Sequence, residues 1–156
     1  ATASSALAAL GELGITTSTV AARRFGGPGS AVAAASRLGV TIEQVLWSNV
    51  EAVLQAARAV DLIVSTVPAG VADPLAQCLD VRDGQVLLDV VYSPRNTALR
   101  SVFEAGGGII AEGTDMLVYQ AGAQVQLMTG RSPDIDVMRT ALEEELERRS
   151  REGAAS

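Results

Sequence analysis

Neither lysine nor histidine occurs in the 156 residues, and all 12 cations are arginine. Arginine stays protonated at any working pH and is a poor general base. The two commonest bases of catalysis are therefore missing. With them go histidine-ligated metal, Schiff-base chemistry and the phosphate-binding lysine of Walker motifs. A single cysteine, Cys78, excludes an internal disulfide framework and a cysteine-built zinc site. No base stands near it in sequence, so it reads as a small buried apolar residue and not as a nucleophile. No apolar run approaches the ~20 residues of a membrane span, and no basic start leads into an apolar signal segment. A net charge of −6 argues against non-specific nucleic-acid binding. These exclusions suggest a cytoplasmic chain with neither a membrane nor a nucleic acid as partner. A binding domain, or part of an enzyme, fits better than a complete enzyme.

What is present is a foldable pattern. An apolar fraction of 48% excludes disorder, and the length suits one domain. Helix-like and strand-like segments alternate, which predicts an α/β domain with a mostly parallel sheet. The Ala/Leu-rich stretch 3–13 predicts a helix ended by Gly14, and the β-branched stretch 16–22 a strand. Ser30 is placed to cap a helix over 31–38 that stops at Gly39. A short strand over 40–45 and a helix over 49–59 follow. Residues 62–67 form a near-continuous apolar run ended by Pro68, as in a strand buried on both faces. Residues 71–79 read as a short helix or loop and 85–91 as a second buried strand. Next come a helix over 96–105, a strand over 108–112 and a helix over 114–129 that stops at Gly130. Ser132-Pro133 predicts the start of a last helix, with Asp134 and Asp136 in its first turn and arginines at its end. Its inner stripe is Ile135, Met138, Leu142 and Leu146. Residues 1–149 read as one domain and 150–156 as a frayed tail.

The opening is unusual for a doubly wound domain, which begins with a strand, a Gly-rich turn and then a helix. This chain opens in the helix. Two segments carry a specific resemblance: Asp89–Leu99 (DVVYSPRNTAL) and Glu112–Gln124 (EGTDMLVYQAGAQ). The first is similar to a D-x-V-Y-x-P-x-x-T-x-L run, the second to a G-x-x-M-L-x-x-Q-A helix start. From residue 1 to about 145 the chain resembles the C-terminal, NADP-binding domain of shikimate dehydrogenases, in a form like those of actinobacteria. The resemblance implies a Rossmann-like doubly wound parallel sheet that lacks its first strand and Gly-rich turn. It also implies an N-terminal substrate domain outside this chain. Family members reduce 3-dehydroshikimate to shikimate with NADPH.

The site residues follow from that resemblance, weighed against their chemistry. Ala22, Arg23 and Arg24 end the strand 16–22, where arginine accommodates a ribose 2′-phosphate and an acid would bind the 2′-hydroxyl. The other reading is a pair of solvated surface arginines. Thr2 matches the last position of the phosphate-binding turn, with Ala1 replacing its last glycine. Val90 matches a residue beside the nicotinamide and Tyr92 one that reaches the substrate, both on one face by period two. Without the family, Tyr92 reads as a core-rim residue. Gly113 and Met116 match residues near the nicotinamide. Asp115 stands where the family has glycine, as a helix cap or as a carboxylate near the cofactor. Gln120 matches a substrate-binding glutamine, set on the inner side of an apolar helix with Met116, Leu117, Ala121 and Leu127. There it needs a buried partner, either a substrate hydroxyl or a neighbouring backbone group. Gln124 lies one turn further on. Ser65 to Gly70, where the family has Asn-Ala-Thr, reads as an ordinary strand exit.

The resemblance implies no catalytic residue in this chain, because the family's Lys–Asp pair belongs to the N-terminal domain. The implied partners are that domain and a small-molecule substrate, shikimate or 3-dehydroshikimate. Two alternatives remain: a stand-alone nucleotide-binding or interaction module, and a homologue that acts on quinate. With the first strand absent, the strands 16–22 and 61–66 are expected to face a gap in the sheet.

Overall fold

A computed structural model describes residues 2–94 and 96–153. Helix α1 (Thr2–Glu12) leads to strand β1 (Thr17–Ala22), helix α2 (Ala31–Leu38) and strand β2 (Thr41–Leu46). Helix α3 (Val50–Ala59) crosses to β3 (Leu62–Ser65), followed by α4 (Asp73–Ala76) and β4 (Val86–Asp89). Helix α5 (Ala98–Ala105), β5 (Ile109–Glu112), α6 (Gly113–Thr129) and α7 (Ile135–Gly153) complete the chain. Local chemistry explains several boundaries. The Ser30 side chain accepts from the Ala33 N–H at 3.2 Å, and Gly39 ends α2 in the left-handed region. Asn49 and Thr97 cap α3 and α5 in the same way.

All the strand pairings are parallel, in two separate ladders: β1 with β2, and β3-β4-β5 in that order. Among the described residues neither β1 nor β3 pairs with a strand on its other edge. The two ladders are thus not joined by strand pairing among the described residues. The main core lies on the three-stranded ladder. It gathers Leu54 of α3, Ala76 and Leu79, Leu87 of β4, and Leu99 and Phe103 of α5. Trp47 follows β2 directly and packs against that core, while its N–H donates to the Ala22 carbonyl at 2.9 Å. This residue and α3 tie the two ladders together.

Several boundaries differ from the sequence expectation. β3 stops at Ser65 and β4 at Asp89, so residues 66–67 and 90–91 are loop. Neither strand is buried throughout: β3 is half-buried with Leu62 exposed, and β4 alternates buried and half-buried positions. The last helix starts at Ile135, and its cap is Asp134 rather than Ser132. The Asp134 Oδ1 accepts from the Asp136 and Val137 N–H groups at 3.0 and 3.2 Å. The tail is helical as far as Gly153, because Glu145, Glu147 and Glu152 pair with Arg148, Arg149 and Arg151 along the helix. Residues 154–156, like Ala1, lie outside the described residues. Cys78 is exposed and not buried, since its neighbours Ala76 and Leu79 take the inward places in that turn.

At the amino edge of the larger ladder, the carbonyls that end α3 find side-chain partners. Gln85 is 1% exposed, and its Nε2 donates to the Ala57 and Val60 carbonyls, both at 2.7 Å. Arg82 adds donors to the Arg58 and Val60 carbonyls at 3.2 and 2.8 Å. Helix ends leave carbonyls unsatisfied, and burying them without partners is costly. Gln85→Ala is expected to destabilise the fold by about 1–3 kcal/mol, read as a lower midpoint in denaturant unfolding with an unchanged slope. A second expectation concerns pH. Hydrogen bonds from Arg148 and then Arg149 hold the Glu145 carboxyl down at about 2 from its ordinary 4.5. A depressed value stabilises the helix above about pH 4.5 and is lost as the pH falls toward 2. Amide protection factors within 141–153, corrected for the intrinsic exchange rate at each pH, should therefore fall across that window, and less so at high salt, since the pairs are exposed.

Candidate functional site

Parallel strands deliver all their carboxyl ends to one edge, which is where ligands bind in such sheets. On the smaller ladder that edge carries Ala22, half-buried, then Arg23 and Arg24, both exposed. Neither arginine has an ion-pair partner among the described residues. The loop that follows is open: a side chain at Gly26, Gly27 or Gly29 would meet nothing within 4 Å. Thr2 is exposed in the first turn of α1.

On the larger ladder the same edge forms an open cleft. Its lining includes Asp89, Val91, Tyr92, Thr97, Arg100, Glu112, Gly113 and Thr114. A second hollow, lined by Ser65, Val67, Gly70 and Asp73, shares Asp89, Val91 and Thr97 with the first. Ser65 thus ends β3 at a rim, and its carbonyl accepts from the Val90 N–H at 3.0 Å. Tyr92 is 41% exposed, and not a packed core-rim residue. The period-two expectation for Val90 and Tyr92 does not hold, because β4 has already ended. The Asp89 Oδ1 accepts from the Val91 N–H at 3.2 Å and turns the chain, so Val91 and Tyr92 together line the cleft. Val90 instead backs the turn into α6. A Cβ on Gly113 would lie 2.5 Å from the Asp89 carbonyl oxygen and 3.2–3.3 Å from Val90 backbone atoms.

The charges here are paired. Arg100 grips Glu112 with two bonds of 2.7 Å and Glu104 with one of 2.8 Å. Glu112 holds the Arg100 guanidinium above its ordinary pKa. Glu112 therefore does not cap α6, although it stands at the cap position. Asp115 does not cap it either: its Oδ1 accepts from the Arg139 Nε at 3.0 Å, tying α6 to α7. Asp115 and then Tyr119 hold Arg139 above its ordinary pKa. Gly122 completes that joint, since a Cβ there would come 2.7 Å from the Ile135 Cδ1.

Helix α6 turns a different face inward from the one its sequence suggests. Gly113, Thr114, Val118 and Gly122 are buried. Met116 is half-buried, while Gln120 and Gln124 are exposed, and Leu127 is 86% exposed. The small residues at 113 and 122 allow close approach by β4 and α7, and that contact outweighs the larger apolar side chains. Gln120 therefore lies on an outer stripe with Met116, Gln124 and Leu127, and no side-chain bond to a neighbouring backbone group engages it. The structure brings Val90, Tyr92 and Gly113 to one edge, with Met116 half-buried one turn into α6. Arg23 and Arg24 stand on the other ladder. Asp89, Thr97 and Arg100 were missed as site residues. Their signal was the D…T spacing within 89–97, which looks like motif background until the bonds are seen.

The Shikimate 5'-dehydrogenase C-terminal domain model matches residues 113–143, which is α6 and the first half of α7. The NADP(+) shikimate dehydrogenase of Methanothermobacter thermautotrophicus is 31% identical over 107 residues, covering 65% of this chain and 38% of that protein. The crystal structure of Mycobacterium tuberculosis shikimate dehydrogenase aligns with a TM-score of 0.80 at 35% identity, over 92% of this chain and 54% of that one. A shikimate 5-dehydrogenase from Mycobacterium fortuitum gives 0.77 at 36%, over 90% and 52%. The chain thus spans little more than half the length of these solved proteins. One expectation follows from the geometry alone. Gly113→Ala should force the β5–α6 turn off Asp89 and cost about 1–3 kcal/mol, read by thermal unfolding, whereas Thr2→Ala should leave stability unchanged.

Proposed function

We propose that the chain is the C-terminal, cofactor-binding portion of an NADP-dependent shikimate dehydrogenase, a reading supported by its similarity to such enzymes. The observation that carries this reading is what stands at the carboxyl ends of the strands in each ladder. Two arginines without carboxylate partners stand at the end of β1, and a cleft bearing Tyr92 and Gly113 stands at the ends of β4 and β5. Residues 1–149 form one cofactor-binding domain on this reading, with the last helix continuing to Gly153.

The residues present fit a dinucleotide carrying a 2′-phosphate. Arg23 and Arg24 offer guanidinium donors without competing carboxylates, and the glycines of 26–29 leave room beside them. Thr2 stands at the start of α1, where a helix N-terminus favours a pyrophosphate. Val90, Gly113 and Met116 would border the nicotinamide, and Tyr92 and Gln120 would contact the substrate. When bound, the cofactor supplies the hydride that reduces the carbonyl of 3-dehydroshikimate. Tyr92 offers a ring to pack on one side and a hydroxyl on the other. Gln120, with both a donor and an acceptor, matches a hydroxylated ring. Its exposure on α6 suits a substrate held between this domain and the N-terminal one, which on this reading supplies the Lys–Asp pair for proton transfer. No helix among the described residues is long and apolar enough to cross a membrane. We place the reaction in the cytoplasm.

In the whole enzyme, Arg23→Ala is expected to raise the KM for NADPH roughly tenfold or more and to leave that for NADH unchanged. Steady-state kinetics with both cofactors check this, and an unchanged NADPH/NADH preference would remove Arg23 from the site. Gln120→Ala should lower kcat/KM for shikimate by about tenfold or more with little change in NADP affinity by titration calorimetry.

A further inference from the structure

We infer that Asp89, Thr97, Arg100 and Glu112 form a hydrogen-bonded strap of positioning residues. It sets the Tyr92 segment against the turn at Gly113, and so sets the substrate's distance from the cofactor. The inference rests on the functional reading above and adds to it residues of the same cleft that act through their bonds to one another.

The strap is continuous. Asp89 is 8% exposed at the end of β4, and its two carboxylate oxygens serve two segments. Oδ1 accepts from the Val91 N–H at 3.2 Å, which fixes the backbone one residue before Tyr92. Oδ2 accepts from the Thr97 hydroxyl at 2.8 Å. The Thr97 oxygen accepts in turn from the Arg100 N–H at 3.2 Å, as the cap of α5. A hydroxyl has one proton to give and lone pairs to accept with, so Thr97 fills both roles at once. The Arg100 side chain then reaches Glu112 through two bonds of 2.7 Å, and Glu112 adjoins Gly113. From Val91 to Gly113 each link is a polar bond in a partly buried setting, where such bonds are stronger than in water.

The same place is also tight in backbone terms. The Asp89 carbonyl stands 2.5 Å from where a Cβ of Gly113 would be, so no slack separates the two loops. Tyr92 itself is 41% exposed, and its side chain has no hydrogen bond among the described residues. Its position therefore comes from its backbone, and its backbone is held by Asp89. A misplacement of about 1 Å between reacting groups costs as much as 100-fold in rate. A strap that holds Tyr92 acts on turnover through the position of that residue.

The test uses the whole protein from its full reading frame, with NADP and shikimate. Thr97→Val keeps the side-chain shape and removes the hydroxyl. It should lower kcat/KM for shikimate about tenfold or more and leave the KM for NADP within about twofold. Thr97→Ser restores the hydroxyl and should restore the kinetics. Gln85→Ala loosens the opposite edge of the same ladder. It should lower the melting temperature with kinetics unchanged, which separates positioning from stability. Should Thr97→Val fail to fold, Glu112→Gln, which weakens the Arg100 link, is measured in its place with the same expected split. If Thr97→Val and Gln85→Ala change kcat/KM alike, or Thr97→Ser does not rescue, the strap is merely structural and the inference is overturned. If the unmodified protein shows no shikimate-dependent reduction of NADP, the functional reading itself falls. That outcome is distinct, because it is seen before any variant is made.

Discussion

Parallel pairing is the constraint on which the rest of this chain depends. A parallel strand cannot follow its neighbour through a tight turn, so each must be reached by a crossover, here with a helix in it. Every crossover returns the chain to the same end of the sheet. Within each ladder the strands therefore begin at one edge and finish at the other, and the loops after β3, β4 and β5 open on a common side. Ser65, Tyr92 and Gly113 are far apart in sequence and share an edge for that reason alone.

The two edges of the larger ladder are closed by polar joints because the core is thin. It gathers Leu54, Leu79, Leu87, Leu99 and Phe103 with two alanines, and Phe103 and Leu87 are its only fully enclosed large apolar members among the described residues. Such a core fixes the strands but not their ends. At the amino edge, Gln85 and Arg82 satisfy the carbonyls that finish α3. At the carboxyl edge, Asp89 and Thr97 hold the loop after β4, while Arg100 and Glu112 hold α5 to β5. No described buried side-chain polar atom is without a partner, as expected where an unmade bond costs more than a made one contributes.

The smaller ladder hangs on this frame by α3 and Trp47. Among the described residues β1 and β3 each keep an edge free of strand partners, an arrangement that invites pairing. Between those edges the fold depends on side-chain packing and not on a continuous ladder.

Much of this was legible in advance. Caps and glycine stops placed α2 and the end of α6 to the residue, because both signals are local and act through the backbone. Strand ends were read too long at Ser65 and Asp89, since apolar residues continue into the loops while pairing stops. The start of α7 was misread because Asp134, and not Ser132, reaches the free N–H groups. Composition and local pattern determined the α/β class and the absence of histidine and lysine chemistry from these residues, while the break between β1 and β3 was expected from the strand order of a doubly wound sheet. Tertiary structure alone decided which face of α6 is buried, that Asp115 serves Arg139, that Cys78 is exposed, and that Asp89, Thr97, Arg100 and Glu112 join. Those outcomes depend on close approach between segments distant in sequence, where a missing Cβ at Gly113 or Gly122 outweighs the hydrophobicity of any single residue.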